Sequence, residues 1–244
     1  LRTNNLSGEQ GQNAYRGSVF FDGRDDVTVL QVIAADSNDD FTFGTGDFTI
    51  EFWVLQSVRN STASLYGGRR DADNEVAPVI YLNNGVVYYY TAGSNRITGS
   101  STLVVNSWNH VAVSRASGST KLFVNGVQEG STYSDSNSYI ARLNRPTIGG
   151  EGVDLGNNPF GGHLSNLRVV KGTALYTDTF IPPREELTIV DGTVLLCCQD
   201  SDDTLQEATG KELLGQGGVY RGRRFSNLAV NGNLENGDTT NWVN

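Results

Sequence analysis

From Ser18 to Gln199 turn pairs cut the chain at short intervals, and the runs between them are rich in Val, Ile, Thr, Tyr and Phe. The cuts fall at Asp22-Gly23, Thr45-Gly46-Asp47, Asn83-Asn84-Gly85, Ser117-Gly118-Ser119, Asn125-Gly126 and Gly149-Gly150. Runs this short leave little room for helices, and their residue types suit a pleated surface, so the rhythm predicts an antiparallel sandwich. Asn84-Gly85 joins Val79-Ile-Tyr-Leu82 to Val86-Val-Tyr-Tyr-Tyr90, and Asn125-Gly126 joins Leu122-Phe-Val124 to Val127. Asn-Gly accepts the positive φ angles of a type I′ hairpin at little steric cost. In Phe48-Thr-Ile-Glu-Phe-Trp-Val54, residues Phe48, Ile50, Phe52 and Val54 share one face, and Thr49, Glu51 and Trp53 share the other. A period of two means that one face packs on the opposite sheet. With 29 Gly and only 5 Pro, the composition suits many tight turns.

The strand motifs come in a fixed order. They are Ser18-Val-Phe-Phe-Asp-Gly23, Phe48-Thr-Ile-Glu-Phe-Trp-Val54, Trp108-Asn-His-Val-Ala-Val-Ser-Arg115, Lys121-Leu-Phe-Val-Asn-Gly126 and Gly162-His-Leu-Ser-Asn-Leu-Arg-Val169. Their order and spacing resemble the laminin-G-like, concanavalin A-like domains. The resemblance implies an all-β fold, a two-sheet antiparallel jelly-roll sandwich over residues 17–200. Phe20, Phe48, Ile50, Phe52, Trp108, Leu122, Val124, Leu167 and Val169 are expected in its core. A narrower resemblance rests on Lys171-Gly-Thr-Ala-Leu-Tyr176, Phe180-Ile-Pro-Pro183 and Leu195-Leu-Cys-Cys-Gln199. That series is similar to the version of the domain in surface proteins of marine tailed bacteriophages, cyanophages especially.

Most residues that could carry chemistry have structural readings. Laminarinase-like glycoside hydrolases of this fold class carry acids in a Glu-x-Asp-x-x-Glu arrangement, because retaining hydrolysis needs two carboxyl groups about 5 Å apart. Here Glu51 is followed by Phe52, Trp53, Val54 and Leu55, with no second acid, and Glu185-Glu186 stands in a turn-like segment after Pro182-Pro183. The histidines, His110 and His163, sit inside strand motifs with no nucleophile elbow nearby. The expectation is no catalytic residue and no enzyme activity.

For metal, Asp36, Asn38 and Asp40 alternate oxygen ligands, but Phe41 stands where a calcium-loop helix pair would need Gly. On that alternation these three residues are the candidate calcium ligands; laminin-G-like domains often hold calcium at the sandwich rim, but no motif here carries that site over residue by residue. For sugar, whose CH faces stack on rings, the candidate is Tyr89, which faces opposite to Tyr88 and Tyr90. Cys197 and Cys198 are adjacent on a strand, so they should point to opposite faces, one to the core, without bonding to each other.

A net charge of −9 repels phosphate and disfavours nucleic acid as a partner. No run of roughly 18 apolar residues occurs, so no membrane span is expected. Residues 1–16 are polar and read as an arm or linker, and 201–226 read as linker. Residues 227–244, Asn227 to Trp242 above all, resemble the opening of a second, galactose-binding-like jelly roll. There is no Met at all, so a processed or partial product is expected. Together these features lead to a non-catalytic structural or adhesion protein of a tailed phage, in a tail fibre, appendage or capsid-surface component. Its expected partners are other virion proteins, its own copies and host-surface glycans, and its expected place is the virion surface, outside the cell. The alternative is a secreted bacterial adhesin or a carbohydrate-binding module of a larger protein.

Overall fold

The computed structural model describes residues 17–24, 29–35, 38–59, 61–70, 74–151 and 158–216. They form two antiparallel sheets packed as a sandwich. The first contains β1 (Val19–Asp22), β3 (Phe48–Gln56), β8 (Trp108–Ala116), β9 (Ser119–Val124), β10 (Val127–Ser134), β12 (Gly161–Lys171) and β13 (Thr193–Cys197). Its order is β1-β12-β3-β8-β9-β10, and β13 pairs with the second half of β12. The second contains β2 (Val29–Val32), β4 (Ala63–Gly67), β5 (Val79–Asn83), β6 (Val86–Thr91), β7 (Ser94–Thr102), β11 (Thr147–Ile148) and β14 (Leu213–Gln216), in the order β14-β2-β11-β4-β5-β6-β7. The described residues hold one short 3-10 turn, Asp39–Phe41, and no α-helix.

The Asn-Gly pairs make the predicted turns. Asn84 and Gly85 both have positive φ, as do Asn125 and Gly126, which is what a two-residue hairpin of this hand requires. The first hairpin sets the register Ile80↔Tyr89 and Tyr81↔Tyr88. Phe48, Ile50, Phe52 and Val54 lie in the core between the sheets, with Ile80, Leu82, Val87 and Tyr89 of the second sheet in the same cluster.

Several expectations are corrected. Phe20 and Trp108 are only half-buried, and Phe21 takes the core position instead. The register explains this. Phe20 pairs with His163, His163 with Leu55 and Leu55 with Trp108, so these four form one row across the outer face of the first sheet. Cys197 and Cys198 are both buried in the core, with their sulfurs 3.8 Å apart. Cys198 has φ +62°, which ends the strand and breaks the alternation that would have turned it outward. Residues 201–216, expected as linker, belong to the sandwich: Glu207 bridges Cys197, and β14 pairs with β2 as an edge strand. The arm at 1–16, the remainder of the expected linker and the 227–244 segment lie outside the described residues.

The strand β3 is buried on both faces. Its second face is closed by a strap, residues 172–190, laid over the first sheet. Thr49 Oγ1 donates to Thr173 O at 3.0 Å and accepts from Leu175 N at 2.8 Å. Phe180 N donates to Gly126 O at 2.9 Å, and its ring meets Phe123 edge-on at 5.4 Å. The Gly126 turn has no room for a side chain, because a Cβ there would sit 1.9 Å from Phe180 O.

Candidate functional site

Asp36 lies outside the described residues. Asn38 Oδ1 accepts from Asp40 N at 2.8 Å and caps the 3-10 turn, while Asp40 pairs with Lys211 at 2.8 Å. These two contacts tie the loop to its neighbours. Among the described residues, no three His, Cys, Asp or Glu side chains are grouped to hold a metal ion.

Glu51, unlike the exposed Glu185 and Glu186, is fully buried beneath the strap. Arg168 donates to its Oε1 from Nε at 2.9 Å and from Nη2 at 2.6 Å. Tyr176 donates to Oε2 at 2.7 Å, and His110 Nε2 lies 3.2 Å from the same oxygen. Burial pushes this carboxyl up, but the hydrogen bond and charge of His110, then Arg168 and Tyr176, outweigh it. The net result is a pKa below the ordinary glutamate value. The same contact, with burial first, raises the Tyr176 hydroxyl well above an ordinary tyrosine. Tyr176 stacks on Phe180 at 3.7 Å and seals the knot. Both carboxylate oxygens are taken and no substrate can reach them, so this acid fastens the strap to the sheet.

Tyr89 is also withdrawn. Its ring is fully buried in the sandwich, and its hydroxyl lies 2.7 Å from that of Tyr139. Tyr139 donates to Asp135 Oδ2 at 2.7 Å. A sugar can reach no face of Tyr89. Its neighbours Tyr88 and Tyr90 are half-buried on the opposite, outer face of the second sheet.

That outer face carries an open groove of about 260 Å3. Val79, Tyr81 and Asn83 of β5 and Tyr90 of β6 line it, with Thr62, Arg69, Glu151 and Asn158 from the ends of loops. Tyr81 stacks on Tyr88 at 5.0 Å with the planes 13° apart, and its hydroxyl donates to Asn95 Oδ1 at 2.7 Å. The Arg69 guanidinium lies 5.1 Å from the centre of the Tyr90 ring and pairs with Glu151. Asn158 Nδ2 donates to Glu151 Oε2 at 2.8 Å. Burial, which outweighs the hydrogen bond to Asn95, raises the Tyr81 pKa above the ordinary tyrosine value, so the hydroxyl stays protonated. Ring surface beside amide and hydroxyl groups can stack on an apolar face and bond to hydroxyls in the same step.

The alternation held the signal for Tyr81, Tyr88 and Tyr90. In Val79-Ile-Tyr-Leu-Asn83 the aliphatic pair Ile80 and Leu82 points inward, and the hairpin register then places Tyr88 and Tyr90 outward with Tyr81. No periodic pattern announced Arg69, Glu151 or Asn158, because they stand in loops that long-range pairing brings together.

The chain was compared with known proteins. The laminin-G model of the concanavalin A-like lectin/glucanases superfamily matches residues 31–176. Comparison with curated proteins gives no match. Among solved structures, a candidate carbohydrate binding protein from Bacteroides ovatus ATCC 8483 aligns with a TM-score of 0.57 at 18% identity, covering 78% of this chain and 58% of that one. The native heptameric SAP-like pentraxin from Limulus polyphemus aligns with a TM-score of 0.52 at 14% identity, covering 82% of this chain and 94% of that one. These likenesses concern the fold. The chain thus spans less than two thirds of the Bacteroides protein, while the family model matches more than half of the chain itself; the chain belongs to the concanavalin A-like lectin/glucanases superfamily.

Proposed function

We propose that this domain is a non-catalytic glycan-binding module and that the groove on the outer face of the second sheet is its site. The observation that carries the reading is the juxtaposition of the half-buried Tyr81 and Tyr90 rings with Asn83, Asn158 and Thr62 in one open groove. A pyranose presents an apolar CH face and a rim of hydroxyls, and this lining offers a partner for each. The same fold in the Bacteroides ovatus protein, a candidate carbohydrate binder, supports the reading. Glu51, the acid of the central strand β3, is consumed by the strap, which supports a domain that binds without cleaving. A single shallow site binds weakly, so repeated copies would supply the avidity.

The setting we propose is the surface of a tailed-phage virion, outside the cell, with other virion proteins or further copies as neighbours. It rests on the resemblance of residues 171–183 and 195–199 to marine phage surface proteins. Mass spectrometry of purified particles should then find this chain in stoichiometric amounts, whereas recovery only as a secreted protein would favour the bacterial adhesin or carbohydrate-binding module. The site itself is tested on an oligosaccharide array with the wild type, Tyr81→Ala and Tyr90→Ala. Each substitution should weaken binding roughly five- to thirtyfold with the fold retained by circular dichroism, since a ring–sugar contact is worth ~1–2 kcal/mol. Binding that is indifferent to both would remove the groove from consideration.

A further inference from the structure

We infer that the groove takes an uncharged sugar and discriminates against carboxylated and sulfated ones. The inference rests on the glycan reading of the groove. Among the described lining residues the charged side chains are Arg69 and Glu151, and they are paired with each other. Their side chains are only 16% and 6% exposed, so the pair is largely desolvated. Glu151 is held further by Asn158, and Arg69 is laid against the Tyr90 ring.

A site for an anionic sugar needs a guanidinium whose donors can turn to the ligand. Here the guanidinium charge is already matched. A sugar carboxylate or sulfate entering the groove would have to displace Glu151 and leave that carboxylate buried without its partner, or else lie against it as a like charge. Either course is costly in a partly desolvated site. The net charge of −9 on the whole chain repels in the same direction, though salt screens that part. A neutral sugar meets none of these costs. It finds the Tyr81 and Tyr90 rings and the polar groups of Thr62, Asn83 and Asn158, and the ion pair stays closed.

Glu151 is therefore the residue that sets the charge of the ligand. Removing its charge while keeping its shape, as in Glu151→Gln, takes away the like charge that an anionic sugar would meet in the groove.

The test is calorimetry on the full chain with neutral cello-, manno- and galacto-oligosaccharides on one side and oligogalacturonate and sialyllactose on the other. The wild type should bind at least one neutral series, and the acidic sugars at least about tenfold more weakly. Affinity for the neutral ligand should change little between low and high salt, because no ligand charge is involved. Glu151→Gln should narrow the gap by strengthening the acidic sugars. If that variant does not fold, the wild-type preference and its salt independence decide the matter alone. Tighter binding of an acidic than of a neutral sugar, abolished by Tyr90→Ala, would overturn the charge inference and leave the groove as the site. Binding of no sugar, or binding untouched by Tyr90→Ala, would overturn the glycan reading and the inference with it.

Discussion

A carboxylate as deeply buried as Glu51 keeps its charge because Arg168, Tyr176 and His110 all reach it. Removing it leaves the Arg168 guanidinium uncompensated in a dry site. Glu51→Ala should therefore destabilise by about 3–5 kcal/mol, and Tyr176→Phe, which removes one donor, by about 1–2 kcal/mol, both read from chemical unfolding. Glu51 and His163 both contribute to the acid limb of stability. The folded pKa of Glu51 lies below its ordinary value of 4.5, so its contribution is complete above that pH and fades as pH falls through the lower folded value. His163, packed between Phe20 and Trp108, is pushed by burial from 6.5 down to about 4. The unfolded chain then binds the proton first, so stability falls as pH drops from 6.5 toward 4. Melting temperature measured across that window should decline, and His163→Gln should flatten the decline. A flat wild-type profile would contradict the burial of this ring. At the same scale the sequence is easy to misread by one position. Tyr88, Tyr89 and Tyr90 differ only in parity, and choosing Tyr89 as the sugar contact chose the buried face.

At the scale of elements, the alternating runs and the Asn-Gly turns made β3, β5, β6, β8 and β9 legible, because period-two burial and positive-φ turns are local properties of sequence. What lay beyond local reading was coverage. The period-two pattern of Phe48 to Val54 implied one packed face, but the strap at 172–190 packs the other as well. The strap carries no strand pattern, so its role is visible only once Thr49, Glu51 and Phe123 are seen beneath it. The edge strand β14 was hidden for a related reason: Leu213–Gln216 is too short to stand out from a polar stretch. The strap's seat can be tested at its anchor. Gly126→Ala forces a Cβ against Phe180 O at a position with φ +80°, so the strap must lift or the turn must distort. The variant should lose about 1–3 kcal/mol and exchange its amide protons faster at residues 172–182 than elsewhere. Unchanged exchange there would contradict the seating of the strap on this turn.

The whole molecule presents two unlike outer faces. The first sheet is largely sealed by the strap, leaving at its open end the row Phe20, His163, Leu55 and Trp108. Among the described residues, nothing covers the outer face of the second sheet where Tyr81 and Tyr90 meet Arg69, Glu151 and Asn158. On the proposed reading the grooved face is the binding face, and the motifs that identified the family mark the closed side. That division explains why the fold could be read from sequence motifs while the site could not. The most direct measurement is an NMR titration of the full chain with the best-binding neutral oligosaccharide. The account predicts that the shifted amides cluster around residues 79–90, Arg69, Glu151 and Asn158. Shifts clustered instead at Phe20, His163 and Trp108, or around the 3-10 turn at Asp39–Phe41, would contradict it.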